Sequence, residues 1–280
     1  MFLIIISSNS YSAQTLVASK VSKSPVIDGS GDDLVWEKSH AIITHDNVAD
    51  IDITLRAIYT EKEIFFLIVF PDSDESRTHK SWIWDKNMNI YKTDIDREDT
   101  FIIKWNKELK PKDLSIYADE PYVADIWFWK ACRTDPVGFA DDKIQILSSS
   151  ELPKSKKMTS NGDKTMYLIR AGDKGTPAYE NTLYAEYQGD NLPRFKYQLP
   201  KGSRSDIRAK GSWSKGKWSI ELGRILDTGH EDDIQFIIGK SYQFGISRYE
   251  IAGREPDPKT MQPLYGTGDI SERLTLHFDE

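Results

Sequence analysis

The chain has 280 residues, is 39% hydrophobic and carries a formal net charge of -7. That supplies one large core or two small ones. With acidic and basic residues interspersed, it argues against a nucleic-acid backbone as partner. Cys132 is the only cysteine, which excludes an internal disulfide and a CxxCH haem attachment.

The N-terminus, FLIIISSNSYSAQT, pairs an apolar run with small and polar residues and a cleavage-like site after Ala13. The run is too short for a membrane span. It reads as a partial signal peptide over residues 1–13, giving an exported, periplasmic protein whose residues 14–280 form a single domain. A hydrophobic start with no export role is the competing reading. Next come Asp28, Asp32 and Asp33 around Gly29 and Gly31, an oxygen-rich turn that suits either calcium or plain solvation. No twelve-residue calcium loop is present.

From there short alternating runs recur with turn residues between them, and helical periodicity is almost absent. Ile51, Ile53, Leu55, Ala57 and Tyr59 alternate with mainly polar residues. Glu61-Lys62 then connects to EIFFLIVF at 63–70, apolar on both faces as a central strand is. Phe101, Ile103 and Trp105 form another inward set. Ile207, Ala209, Gly211 and Trp213 pair across Ser214-Lys215-Gly216 with Trp218, Ile220 and Leu222. Runs at 234–239, 242–248 and 273–278 complete the series. The pattern predicts an all-β fold, an antiparallel β-sandwich with long loops. Residues 72–98 and 148–206 break the rhythm and read as functional loops.

The central run, DIWFWKACRTDPVGFADD at 125–142, is the most informative. Period 2 puts Ile126, Phe128 and Lys130 on one face and Asp125, Trp127 and Trp129 on the other. Both faces are apolar, so the strand is covered on both sides. Lys130 then either snorkels to the rim, forms a buried salt bridge with Asp125 or Asp141, or is held in a ligand pocket. No GxSxG, HExxH or Gly-rich phosphate loop occurs, which points away from an enzyme. The pairs Glu98-Asp99 and Asp141-Asp142 are adjacent, so on a strand their carboxylates face opposite ways, unlike the facing pair of a glycosidase.

The opening PVIDGSGDDLVWEKS, with Ile27, Asp28, Gly29 and Trp36, resembles the first strand of family 9 carbohydrate-binding modules. WFWKACRTDPVGFADD, GSRSDIRAKGSWSKGKWSIEL and FGISRYEIAGREPDP resemble the haem-binding domain of ethylbenzene-dehydrogenase-like proteins, the gamma subunits of periplasmic molybdenum enzymes and related cytochromes. The resemblance implies a sandwich holding non-covalent haem b, passing single electrons to redox enzyme subunits. This chain departs from the family pattern in three places. Phe128 stands where members often have His, FGISRYE offers Arg248 and Tyr249 in place of another His, and YADEPYVAD lacks the Met-Gly-Asp that supplies a methionine ligand in some members.

A haem needs axial donors, an apolar slot and cations near its propionates. Lys130 is one candidate donor, although deprotonating an ordinary lysine at pH 7 costs roughly 4–5 kcal/mol. Met88 needs no deprotonation, and His79 is the histidine best placed in a long loop. Trp127, Phe128 and Trp129 are the candidate slot walls, and Arg133 and Arg248 the candidate carboxylate partners. Two alternatives stand beside haem. One is a binding module presenting Trp82, Trp84, Trp127 or Trp129 to a sugar or another flat ligand. The other is a structural subunit without a cofactor.

Overall fold

The computed structural model describes residues 14–46, 49–249 and 273–279. Its strands, in chain order, are β1 (Thr15–Lys20), β2 (Ile42–Asp46), β3 (Ile51–Tyr59), β4 (Glu63–Pro71), β5 (Trp82–Asp85), β6 (Ile90–Thr93), β7 (Thr100–Asn106), β8 (Tyr122–Lys130), β9 (Asp141–Ser148), β10 (Lys156–Thr159) and β11 (Thr165–Gly172). They continue with β12 (Gly175–Thr176), β13 (Tyr179–Asn181), β14 (Asn191–Leu192), β15 (Phe195–Tyr197), β16 (Lys201–Gly202), β17 (Arg208–Trp213), β18 (Lys217–Ile225), β19 (Ser241–Tyr249) and β20 (Leu274–Phe278). The fold is an all-β sandwich. The signal-like residues 1–13 and the IAGREPDP part of the family-like run lie outside the described residues.

Thirteen strands form one hydrogen-bonded path, β10-β11-β9-β8-β7-β19-β20-β1-β3-β4-β18-β17, with β2 beside β3. The path doubles back on itself. Phe101, Ile103, Trp105, Trp127 and Trp129 from β7 and β8 share one core with Phe66, Ile68, Phe70, Trp218 and Ile220 from β4 and β18. Alternation along each strand dictates this, because the inward residues of both halves have only one another to exclude water. The ladder is not wholly antiparallel: β1 runs parallel to both β20 and β3 where the two halves join.

The β17–β18 hairpin has the expected register, Trp213 opposite Trp218 and Gly211 opposite Ile220. Gly211 is required for packing, since a Cβ there would lie 2.4 Å from the Trp129 ring. Both outer faces of the sandwich are also covered. Trp36, Val21 and Ile27 cover Phe65 and Leu67 of β4. Leu114, Ala118 and Met166 cover Ile102, Ala124 and Ile126 of β7 and β8.

Three expectations need correction. The 234–239 run contains no strand, because Ile234 and Phe236 give their N–H groups to Asp125 and to the Leu226 carbonyl. Residues 72–98 contain the β5–β6 hairpin, and residues 148–206 contain the six strands β10, β11, β12, β13, β14 and β15 together with β16. All of these strands except β11 are only two to four residues long, too short to show a hydrophobic period.

Candidate functional site

β8 sorts its side chains as period 2 requires, and the sorting corrects the expected slot. Trp127 and Trp129 are fully buried. Trp127 packs against Trp105 and Phe66, with ring centroids 5.4 and 5.7 Å away. Trp129 meets Trp218 at 4.9 Å and donates its indole N–H to Asp135. These two indoles are sandwich core, and their own neighbours fill the space around them. They neither wall a cofactor slot nor present a face to a sugar.

The opposite face of β8 carries the chemistry. Lys130 is buried and its ammonium bonds the Asp141 carboxylate, which also receives Arg204. Lys130 donates as well to the Tyr179 hydroxyl at 3.2 Å and lies 4.5 Å from the Phe128 ring. The buried-salt-bridge reading with Asp141 therefore describes its position. Burial lowers the Lys130 pKa to about 8 while Asp141 opposes the shift. Burial pushes Asp141 up, yet Lys130, Lys143 and Arg204 outweigh it and hold the carboxyl below the usual range.

Beside this pair, Glu98 is buried and accepts the N–H groups of Cys132 and Arg133 at 2.7 and 2.9 Å, together with the Arg133 guanidinium. Arg133 thus braces Glu98, not the aspartates of the following turn. Its guanidinium carbon sits 5.4 Å from the Tyr179 ring and 5.7 Å from the Phe195 ring. Burial and the Glu98 charge push the Cys132 thiol up to about 12, so it is inert at neutral pH. Arg248 is likewise structural, buried with Asp46 and Asp72 within 4 Å.

His79 joins the same group. Its ring lies 6.0 Å from Phe195, and Nδ1 is 3.5 Å from Glu98 Oε1 without forming a hydrogen bond. Burial, then the charges of Arg133, Arg97, Lys80 and Lys130, lower its pKa to about 2, so the imidazole is neutral at any ordinary pH. The fold therefore brings His79, Phe128, Lys130 and Arg133 together under Tyr179 and Phe195. Those two covering aromatics were missed in the sequence because they lie on β13 and β15, three-residue strands with no periodic signal.

Met88 is not in this group. It is exposed at the β5–β6 turn, where its N–H donates to Asp85. That hairpin instead builds an open aromatic cleft of about 210 Å³ lined by Trp82, Trp84, Tyr91 and Tyr184. Trp84 packs edge-on to Tyr91 and Tyr187 at 4.9 and 5.3 Å. The Trp82 indole donates to the Thr182 carbonyl, fixing its plane. In the turn read as either a calcium loop or a plain solvated turn, Asp28 and Asp33 accept backbone N–H groups and Asp32 accepts the Ser30 hydroxyl. The turn is pinned from below by Glu221, which takes the N–H groups of Asp28 and Gly29 and the Trp36 indole.

The donor chemistry separates the candidate iron ligands. A neutral donor is needed. Lys130 is engaged by Asp141 as an ammonium and does not fit as held. Met88 stands apart on the hairpin. His79 fits, being buried, neutral and free of hydrogen bonds at Nδ1.

Fold and site together define a β-sandwich module with a buried, charged cluster on one face of β8 and a separate aromatic cleft. The chain belongs to the ethylbenzene dehydrogenase family, whose model matches residues 37–255. Among solved structures it is similar to a family 9 carbohydrate-binding module from Caldicellulosiruptor kristjanssonii in complex with glucose, at 10% identity over 95% of this chain and 96% of that one, TM-score 0.43. The same module in complex with cellotriose gives 10% identity, 95% and 94% coverage and a TM-score of 0.42. A putative carbohydrate-binding protein from Bacteroides uniformis gives 10%, 96% and 100%, and 0.41. No curated protein matches the chain. Among the described residues no helix is long and apolar enough to cross a membrane.

Proposed function

We propose that the chain is an exported, non-catalytic subunit or partner of a periplasmic redox enzyme, binding haem b on the Lys130 face of β8 with His79 as the iron donor. The observation that carries this reading is the His79 imidazole, buried, neutral and unbonded at Nδ1 among cations and aromatic rings. Family membership supports the redox setting, and the signal-like start supports export. When bound, haem supplies a one-electron couple. The chain's own residues do the rest. Arg133, Arg97 and Lys80 keep a positive field around His79, which suits ring carboxylates and keeps the imidazole unprotonated. Tyr179 and Phe195 shield this face from water.

The test is a visible spectrum of protein produced with haem in excess. A Soret band that His79→Ala shifts or abolishes, and that Met88→Ala leaves alone, is the expected result. A featureless spectrum, even after haemin is added, rejects the reading.

One observation favours a second reading. Trp82 and Trp84 are only partly buried and line an open cleft whose volume is of the order of one sugar ring. Aromatic planes there would stack a flat ligand such as a pyranose. Glycan-array binding lost in Trp84→Ala supports it, and an array at background counts against it. If both tests fail, a cofactor-free structural subunit is left, and pull-down from the native periplasmic fraction checks for a redox partner.

A further inference from the structure

On the core side of the sheet lies a second charged cluster that neither functional reading uses. Asp125 on β8, Asp142 on β9, Asp173 just after β11 and Asp233 in the 226–240 loop are all buried. Ligand oxygens of Asp125, Asp142 and Asp233 lie within 4.8 Å of one another. Among the described residues, Arg224, also fully buried, lies 2.9 Å from Asp125 and 3.8 Å from Asp233, and His230 lies 4.0 Å from Asp233. Asp125 spends one oxygen on Arg224 and on the Ile234 N–H, and its other oxygen has no partner. Asp142 is 0% exposed, and among the described residues neither of its oxygens accepts a hydrogen bond.

Four carboxyl groups crowded in the interior around one guanidinium are costly unless protons or a bound ion neutralise them. We propose that Asp125, Asp142 and Asp233, with Asp173 beside them, form a binding site for a hard divalent cation, calcium by preference. The donors are all oxygen, which selects calcium or magnesium over softer metals. Calcium takes oxygens at about 2.4 Å, so two oxygens on one ion lie at most about 4.8 Å apart, and one oxygen from each of the three carboxylates falls within that limit. Unpartnered oxygens on a wholly buried carboxylate are what coordination would satisfy. The ion would tie the 226–240 loop and the end of β11 to the central strands β8 and β9.

The experiment uses the full chain, stripped with EDTA, dialysed against calcium chloride and then assayed for bound metal and melting temperature. The expected result is about one calcium per chain and a melting temperature about 5–10 °C higher in saturating calcium than in EDTA. Asp142→Asn and, at the rim, Asp173→Asn each weaken that response, and Asp32→Asn in the exposed turn keeps it. Wild-type protein that retains no calcium and melts at one temperature in calcium, magnesium and EDTA overturns the proposal and leaves shared protons holding the cluster. A calcium response undiminished in both Asp142→Asn and Asp173→Asn, or lost in Asp32→Asn, overturns it equally, because the ion then sits elsewhere. The wild-type measurements decide the question even if a variant does not fold.

Discussion

Asp141 and Asp142 are neighbours on one strand, both buried, and the fold treats them in opposite ways. Asp141 faces the Lys130 side and meets Lys130, Arg204 and Lys143, which hold it ionised. Asp142 faces the core side and meets Asp125, Asp173 and Asp233, which drive it toward the protonated form. Burial raises both carboxyls. What differs is the sign of the charges across the strand, and that follows from period 2 alone. A buried carboxylate is thus a stabilising element on one face and an unmet demand on the other.

Three experiments sharpen or break this contrast. The largest expected effect is at Asp141. Asp141→Ala leaves Lys130 and Arg204 as buried cations without their partner, and a loss of about 3–5 kcal/mol is expected in urea unfolding. A loss below about 1 kcal/mol would show that the two faces do not differ as described.

The pH dependence comes next. Asp141 has a folded pKa below its unfolded value near 3.9, so its contribution is complete above that value. It is lost as pH falls through the depressed folded pKa. The stability gap between wild type and Asp141→Asn, read from urea midpoints, should therefore hold from pH 7 to about pH 5 and narrow progressively below about pH 4. A gap that does not narrow between about pH 4 and pH 2 would mean packing, not charge, sets the difference.

The smallest effect has the reverse sign. In EDTA, Asp142→Asn replaces a carboxyl that burial and its acidic neighbours drive toward protonation with a neutral amide of nearly the same volume. It should leave stability unchanged or raise it by about 1 kcal/mol. A loss comparable to that of Asp141→Ala would show that Asp142 already has a partner without a cation.

The strands that pack on both faces were legible because their apolar residues repeat with the period of the backbone. β3, β4, β7 and β8, and the β17–β18 hairpin, all read correctly from side-chain alternation. The 148–206 segment was not legible, since apart from β11 its strands, two to four residues long, leave no period. For that reason Tyr179 and Phe195, which close the candidate site, gave no signal. The indole pair misled for a related reason. Two tryptophans on one face of a strand look the same in sequence whether they line a ligand slot or fill a core, and only the partner strands β4 and β18 distinguish the two.

By itself the sequence determined the all-β class, the division of β8 into two faces and the placing of Asp141 and Asp142 on opposite sides, because each is a local consequence of strand geometry. The tertiary structure decided which charges face each carboxylate, which aromatics are core and which line an open cleft, and that His79 joins Lys130. Those are contacts between segments tens to hundreds of residues apart, set by the folding of the ladder onto itself, and no local pattern encodes them.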